Sequence, residues 1–219
     1  MNVEQARFNM IEQQIRPWDV LDPGVLSVLS TIHREDFVPA AHRSLAFVDT
    51  QVPLLDGAPH GECMLEPRVE ARLLQELRVQ HTDKVLEIGT GSGFMAALLA
   101  LKARDVTTLE IHPALAERAR ANLQHAGLAR VKVLQADGAK GLPGESPFDV
   151  IVLSGAAVPK ALLEQLRTGG RLAAIVGDEP IMRAMVYTRV SDTAWSQDEI
   201  FDTVAPRLQH FEEPSHFRF

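Results

Sequence analysis

The sequence lacks the features that mark secreted and membrane proteins. Cys63 is the single cysteine, so no intrachain disulfide can form, which is typical of a protein from a reducing compartment. The longest apolar run, residues 94–101, is far too short to span a bilayer. The first residues also lack the apolar stretch of a secretory signal peptide. We therefore expect a cytoplasmic protein without membrane association.

Basic clusters and metal-ligand patterns are missing from the sequence as well. The chain carries 22 lysines and arginines against 29 aspartates and glutamates, a net charge of −7, with no dense basic run. A surface that follows a phosphate backbone needs such a run, so a nucleic-acid partner is not expected. The eight histidines are scattered without ligand spacing, so no metal site is expected either.

Length and hydrophobic periodicity predict one domain in two parts. With 219 residues, 46% of them hydrophobic, the chain can bury one sizeable core. Residues 1–80 show helical spacing and form a predicted N-terminal, substrate-side extension, with helices at 4–16, from Pro23 and from Pro67. Residues 81–219 alternate between strand and helix patterns, which predicts an α/β core that binds a cofactor. Strands are predicted near residues 85–88, 106–110, 131–136, 147–154, 171–176, 185–190 and 199–204, with 166–168 ending a helix.

A glycine-rich turn after the first of these strands gives the clearest functional signal. Glu87 lies inside the strand, and Gly89, Gly91 and Gly93 follow at alternate positions before a helix that starts at Phe94. Alternate glycines let the backbone turn tightly and approach a ligand at the carboxyl end of a parallel strand. The spacing differs from the G-x-G-x-x-G of dinucleotide sites. The pattern E-x-G-x-G-x-G resembles the first motif of class I S-adenosylmethionine-dependent methyltransferases.

Two acidic residues at the ends of later strands fit the same cofactor. Glu110 ends the second strand, where its two carboxylate oxygens can accept both hydroxyls of a ribose. Asp137 ends the third strand, where it can accept the amine of an adenine. We therefore expect S-adenosyl-L-methionine as the cofactor. The candidate cofactor-binding residues are Glu87, Gly89, Thr90, Gly91, Gly93, Glu110, Ile111, Asp137, Gly138 and Ser154.

The N-terminal part narrows the resemblance to one family. Residues 10–16 (MIEQQIR) and 34–39 (REDFVP) resemble the opening of protein-L-isoaspartate O-methyltransferases, as do residues 89–94, 136–138 and 162–172. The likeness covers roughly residues 8–177. It implies a Rossmann-like, mostly parallel seven-stranded sheet with helices on both faces and an N-terminal helical extension. It also implies a monomer that methylates the free carboxylate of isoaspartyl residues in damaged proteins.

Two segments depart from the family pattern on the acceptor side. The family carries a stretch like G-Q-T-I-S-x-P, whose serine lies beside the isoaspartyl carboxylate. Residues 61–67 align with it on the glycine and the proline, and Leu65 takes the place of the serine. A hydroxyl can donate to a carboxylate, whereas an isobutyl group cannot. The loop after the fourth strand, residues 155–158, is also short, so we expect a retained cofactor side and an altered acceptor side.

The acceptor-side candidates are His60, Cys63, Leu65 and Glu66. His60 could serve as a base, Cys63 as a reactive thiol and Glu66 as an acid that selects a cationic acceptor, although each also has an ordinary structural interpretation. Residues 205–219 could dock onto the domain, cover the acceptor pocket or contact a partner. Three hypotheses remain open: isoaspartate repair, methyl transfer to another protein or a small molecule, and cofactor binding without turnover.

Overall fold

A computed structural model describes residues 2–55, 57 and 61–212. Its helices are α1 Val3–Met10, α2 Pro23–Thr31, α3 Pro67–Leu77, α4 Phe94–Lys102, α5 Pro113–His125 and α6 Lys160–Leu163. Its strands are β1 Val52–Pro53, β2 Cys63–Met64, β3 Lys84–Ile88, β4 Asp105–Glu110, β5 Lys132–Gln135, β6 Phe148–Ala156, β7 Leu166–Asp178, β8 Ile181–Ser191 and β9 Ala194–Thr203.

Seven of the strands form one sheet in the order β5-β4-β3-β6-β7-β8-β9. The five strands from β5 to β7 are parallel, whereas β8 runs antiparallel to both β7 and β9. Strands β1 and β2 form a separate antiparallel pair. The predicted α/β fold with a mostly parallel seven-stranded sheet is therefore confirmed.

The sheet is buried on both faces because its strands carry apolar residues at successive positions. In β3, Val85 belongs to the core cluster on one face, and Leu86 and Ile88 belong to the cluster on the other. The first cluster contains α3, α4, α5 and the N-terminal extension, and the second includes Leu162 of α6. The extension thus shares a core with the sheet, and the boundary at residue 80 stays a prediction.

The N-terminal helices follow the sequence signals closely. Asp22 caps α2, since its Oδ1 accepts the N–H of Val25 at 2.8 Å, and Pro23 begins the helix. The helix predicted over 4–16 is divided, because α1 ends at Met10 and Ile11–Ile15 form a wider π-type turn. None of the helices in the described part of the chain is long and apolar enough to cross a membrane.

One local prediction in the second half of the chain is wrong. Residues 166–168 do not end a helix, because α6 ends at Leu163 and Leu166 already pairs with Phe148 at the start of β7. The side chain of Leu166 is fully buried in the core, so this residue enters the sheet before the two glycines that suggested a helix cap.

Candidate functional site

A cleft lies at the carboxyl ends of β3, β4, β5 and β6, with a volume of about 690 Å³ including its open mouth. These ends meet because β3 is parallel to both of its neighbours, β4 and β6. Open α/β sheets bind their ligands at this edge. Seven of the predicted cofactor-binding residues line the cleft: Gly89, Gly91, Glu110, Ile111, Asp137, Gly138 and Ser154.

The glycine loop between β3 and α4 is fastened to the neighbouring strand. The N–H groups of Gly89 and Thr90 both donate to the carbonyl of Leu109, at 2.9 and 3.2 Å. Gly89 and Gly91 have φ of 88° and 54°, a backbone region that favours glycine. Gly93 also has a positive φ of 88°, but it lies outside the cleft, where it begins α4 and faces α5.

Glu110 lines the cleft with a carboxylate that the backbone holds in place. Its Oε2 accepts the N–H of Gly91 at 2.8 Å, and its Oε1 accepts the N–H of His112 at 2.9 Å. An ionised carboxylate has about four acceptor positions. Two backbone hydrogen bonds therefore orient the group and leave acceptor capacity for the hydroxyls of a ribose.

Asp137 occupies the corresponding place after β5. Its Oδ1 accepts the N–H of Ala139 at 2.9 Å, and its Oδ2 lies 2.7 Å from Nδ1 of His210. The pKa of this carboxyl is lowered, chiefly by the hydrogen bond from Ala139 and further by His210. The next residue, Gly138, packs against Ile88 of β3 so closely that any Cβ would overlap the side chain of Ile88. Asp137 is thus an ionised acceptor beside a backbone segment that only glycine fits.

Glu87 and Thr90 lie beneath the glycine loop, in a smaller pocket behind the main cleft, and Ser154 lines both. The buried Glu87 carboxyl accepts the hydroxyls of Thr108 and Ser154, at 2.6 and 2.8 Å, and the hydroxyl of Thr108 also lies 2.6 Å from that of Thr90. Burial raises the pKa of Glu87 to about 8 despite these two hydrogen bonds. The carboxyl therefore keeps its proton at neutral pH.

One side of the cleft, here called the acceptor wall, consists of Leu54, Glu62, Cys63 and Leu65. Leu65 is buried, and its carbonyl accepts a hydrogen bond from Arg34 at 2.8 Å. Arg34 also forms a buried ion pair with Glu70. Burial raises the pKa of Glu70 to about 7, although the guanidinium of Arg34 acts in the opposite direction. The apolar face of the wall is thus supported from behind by one charged pair.

The remaining acceptor-side candidates have different environments. Burial raises the pKa of the Cys63 thiol to about 12, with Glu66 and Glu70 adding to the effect, so the thiol keeps its proton. A protonated thiol is a poor nucleophile, which weighs against a reactive role. Glu66 is the residue that precedes α3, and it does not line the cleft. His60 lies outside the described residues. Among the residues that are described, no group of three side chains could hold a metal ion.

Two further parts of the chain line the cleft beside the predicted site residues, His112 and a segment near the C-terminus. His112, which follows β4, lies 3.0 Å from Glu62 and 3.0 Å from the side-chain amide of Gln209. Residues 206–211, here called the C-terminal strap, dock along the cleft. Of the roles considered for residues 205–219, the described part docks onto the domain, through backbone hydrogen bonds between Ala156 and residues 206 and 208. Covering the acceptor pocket and contacting a partner stay predictions. The strap shows no helical or strand periodicity, so only its accumulation of apolar residues gave a signal.

Comparison with known proteins places this site in a family. Residues 5–204 match the family described as protein-L-isoaspartate(D-aspartate) O-methyltransferase. The chain is 40% identical to protein-L-isoaspartate O-methyltransferase of Koribacter versatilis over 84% of this chain and 81% of that protein. It is also 40% identical to protein-L-isoaspartate O-methyltransferase 1 of Rhodopseudomonas palustris, over 84% of this chain and 75% of that protein. The chain belongs to the protein-L-isoaspartate O-methyltransferase family.

A solved structure agrees with this membership at the level of the fold. A putative protein-L-isoaspartate O-methyltransferase from Plasmodium falciparum, in complex with S-adenosyl-L-homocysteine, superimposes with a TM-score of 0.79. The match covers 95% of this chain and 99% of that one, at 18% identity. The family resemblance predicted from residues 10–16, 34–39 and the glycine loop is therefore confirmed. The individual cofactor-binding residues remain predictions that the cleft geometry supports.

Proposed function

We propose that this protein transfers the methyl group of S-adenosyl-L-methionine to the free carboxylate of isoaspartyl residues in proteins. One observation supports this above the others: the family match spans most of the chain and includes a cleft with two oriented carboxylates. Both Glu110 and Asp137 line the same opening as the glycine loop. A plugged cleft, or carboxylates that pointed elsewhere, would have contradicted a cofactor at this edge.

The part of the cleft formed by the glycine loop, Glu110 and Asp137, here called the floor, has the chemistry that an adenosyl group requires. Glu110 offers acceptor positions to the ribose hydroxyls, and Asp137 offers an ionised acceptor to the adenine amine. The side chain of Ile111 supplies an apolar surface in the same cleft. When bound, S-adenosylmethionine supplies an electrophilic methyl group on a positively charged sulfur.

Methyl transfer to a carboxylate needs no general base, and the acceptor wall has to supply only a suitable surface. A carboxylic acid with a pKa near ~4 is already ionised at neutral pH, so its oxygen is a nucleophile without further activation. Leu54 and Leu65 give that side of the cleft apolar surface beside Glu62, and this surface limits competing water. The protonated thiol of Cys63 does not compete for the methyl group. The protein's contribution is to align oxygen, methyl carbon and sulfur.

The test compares two synthetic peptides of the same sequence, one with isoaspartate and one with ordinary aspartate. With methyl-labelled S-adenosylmethionine, we expect a base-labile methyl ester on the isoaspartyl peptide only. The same reaction with the Glu110→Ala variant, run with cofactor well below saturation, should give less ester and so controls for transfer outside the cleft. Cofactor binding measured by calorimetry together with no ester on the isoaspartyl peptide would contradict the proposal and favour another acceptor.

The proposal includes the setting in which the reaction takes place. The substrate is a damaged protein or peptide with isoaspartyl residues, and we propose that the enzyme acts on it as a monomer in the cytoplasm. The single cysteine and the net charge of −7 favour a reducing compartment and disfavour a nucleic-acid substrate. Sedimentation of the purified protein tests the assembly state.

A further inference from the structure

The loop that carries Asp137 and Gly138 is bound by one buried side chain from a later part of the chain. Gln165 lies between α6 and β7 and is 7% exposed. Its Nε2 donates to the carbonyl of Lys140 at 2.8 Å, and its Oε1 accepts the N–H of Leu142 at 2.8 Å. The carboxamide of Gln165 therefore binds the loop after β5 at two backbone groups.

Gln165 is itself attached to α6 and to the sheet. Its Nε2 also donates to the carbonyl of Ala161 in α6, at 3.2 Å. Its backbone N–H donates to the carbonyl of Leu162 at 3.0 Å, and its backbone carbonyl accepts the N–H of Phe148, the first residue of β6, at 2.8 Å. Because both the main chain and the side chain are anchored, the carboxamide is a fixed point against which the loop can rest.

The turn of this loop packs directly on the carboxamide. The N–H of Gly141 donates to the carbonyl of Gly138 at 2.8 Å and closes the turn. A Cβ on Gly141 would come within 2.5 Å of Oε1 of Gln165. Asp137 belongs to the same turn, since its Oδ1 accepts the N–H of Ala139 at 2.9 Å. A shift of the carboxamide would therefore move the carboxylate that is expected to receive the adenine amine.

We propose that Gln165 is a positioning residue that sets the place of Asp137 and, through it, the preference of the cleft for adenine over other purines. The identity of the ligand rests on the function proposed above. Gln165 itself does not line the cleft, so it acts through the loop alone. A carboxamide suits this task because it offers a donor and an acceptor at one end, whereas an ionised carboxylate only accepts.

Two substitutions of similar size remove the donor of the carboxamide. Gln165→Met keeps the length of the side chain, and Gln165→Glu turns an ionised oxygen towards the carbonyls of Lys140 and Ala161. A hydrogen bond to a charged acceptor such as Asp137 changes an affinity by about ten- to a hundredfold. Displacing this acceptor without removing it should forfeit part of that factor, about three- to tenfold.

The experiment measures binding of S-adenosylhomocysteine and of S-inosylhomocysteine, which has a carbonyl in place of the amine, by calorimetry without a methyl acceptor. In Gln165→Met we expect the preference for the adenine ligand to fall by about three- to tenfold. Unfolded protein lowers the binding stoichiometry and leaves the ratio of the two affinities unchanged.

The matched control is Gln75→Met in the N-terminal extension. Gln75 ties a loop in the same way, since its Oε1 accepts the N–H of Leu21 at 2.8 Å and its Nε2 donates to the carbonyl of Asp19 at 2.8 Å. This loop does not line the cleft, so the preference for adenine should stay as in the unmodified protein.

The pH dependence of Gln165→Glu distinguishes positioning from general support of the fold. At about pH 8 the ionised carboxylate lacks a donor, and the preference should be low. At about pH 5.5 a protonated carboxyl offers one donor and one acceptor, so the preference should return towards that of the unmodified protein. Gln165→Met should show no such recovery.

Two results would overturn the role of Gln165. An unchanged preference in Gln165→Met would show that the loop keeps Asp137 in place without the carboxamide. An equal loss of affinity for both ligands would show that Gln165 supports the whole cleft and not the adenine loop. Absence of S-adenosylhomocysteine binding to the unmodified protein would remove the cofactor and this inference together. Binding without an isoaspartyl ester would remove only the proposed acceptor.

Discussion

The floor and the acceptor wall of the cleft are held in place by different interactions. On the floor, backbone N–H groups bind the carboxylates of Glu110 and Asp137 directly. In the wall, Leu65 is supported through its carbonyl by Arg34, whose buried charge is balanced by Glu70. The floor therefore follows from the local course of the chain, whereas the wall depends on a long-range side-chain pair. Substitutions in the wall can therefore alter which methyl acceptor fits without disturbing the residues proposed to bind the cofactor.

The largest expected effect comes from breaking the charged pair behind the wall. Glu70→Leu should lower the free energy of unfolding by about 3–5 kcal/mol, because it leaves the guanidinium of Arg34 buried without its partner. Arg34→Met should cost less, since Glu70, whose pKa burial already raises to about 7, can take up a proton. Urea denaturation at pH 7 measures both changes.

The control for this pair is Glu12→Leu, which removes a partly exposed partner of Arg16 in the π-type turn that follows α1. It should change the free energy of unfolding by less than about 1 kcal/mol. A loss in Arg34→Met equal to or larger than that in Glu70→Leu would contradict the argument that only the carboxyl can neutralise itself.

The buried carboxyl beneath the floor should produce the next largest effect, seen as a pH dependence. The folded protein holds a proton on Glu87 up to about pH 8, whereas the unfolded chain releases it near ~4.3. Between these values the folded state binds more protons, so stability falls as pH rises, by an amount on the order of a few kcal/mol. Glu87→Gln should remove this part of the pH dependence.

Comparing the unmodified protein with Glu87→Gln shows whether stability falls or rises with pH because of this carboxyl. Near pH 4 the unmodified protein and Glu87→Gln should differ little on this account, because the carboxyl is protonated in both states. Above pH 8 the variant should be the more stable protein. Thermal or urea unfolding from pH 4 to 9 would show it, and parallel stability curves would rule out a raised pKa at Glu87.

On the face of the wall, Leu65→Ser should raise activity on isoaspartyl peptides. A hydrogen bond from a hydroxyl to a charged acceptor contributes on the order of 1.5–3 kcal/mol, or about ten- to a hundredfold in rate. Leu65→Ala is the matched control, since it opens the same space without a donor. Steady-state kinetics with the two variants separates the hydroxyl from the cavity. Equal rates would mean that the wall differs by more than this donor.

The two sides of the cleft also differ in how far the sequence predicted them. The glycine loop, Glu110 and Asp137 were predictable because each follows directly from the end of a strand with a strong apolar pattern. Leu65 was found only through its place in a family motif. Residues 205–219 could be given only a choice of roles, because Ala156 pairs with a segment some fifty residues further along the chain, a contact without local periodicity. Long-range pairings of irregular backbone leave little trace in sequence.

The smallest expected effect is on cofactor affinity, when the Glu110 carboxylate is removed from the floor. Glu110→Ala should weaken the binding of S-adenosylhomocysteine by about 1–3 kcal/mol, because it removes the acceptor for the ribose and releases the N–H groups of Gly91 and His112. Calorimetry measures this change, with Glu117→Ala, an exposed acid on α5, as the control. An affinity of Glu110→Ala for S-adenosylhomocysteine equal to that of the unmodified protein would refute the ribose role of Glu110. A lower activity of Glu110→Ala that saturating cofactor restores would show that the floor acts on the cofactor and not on the acceptor.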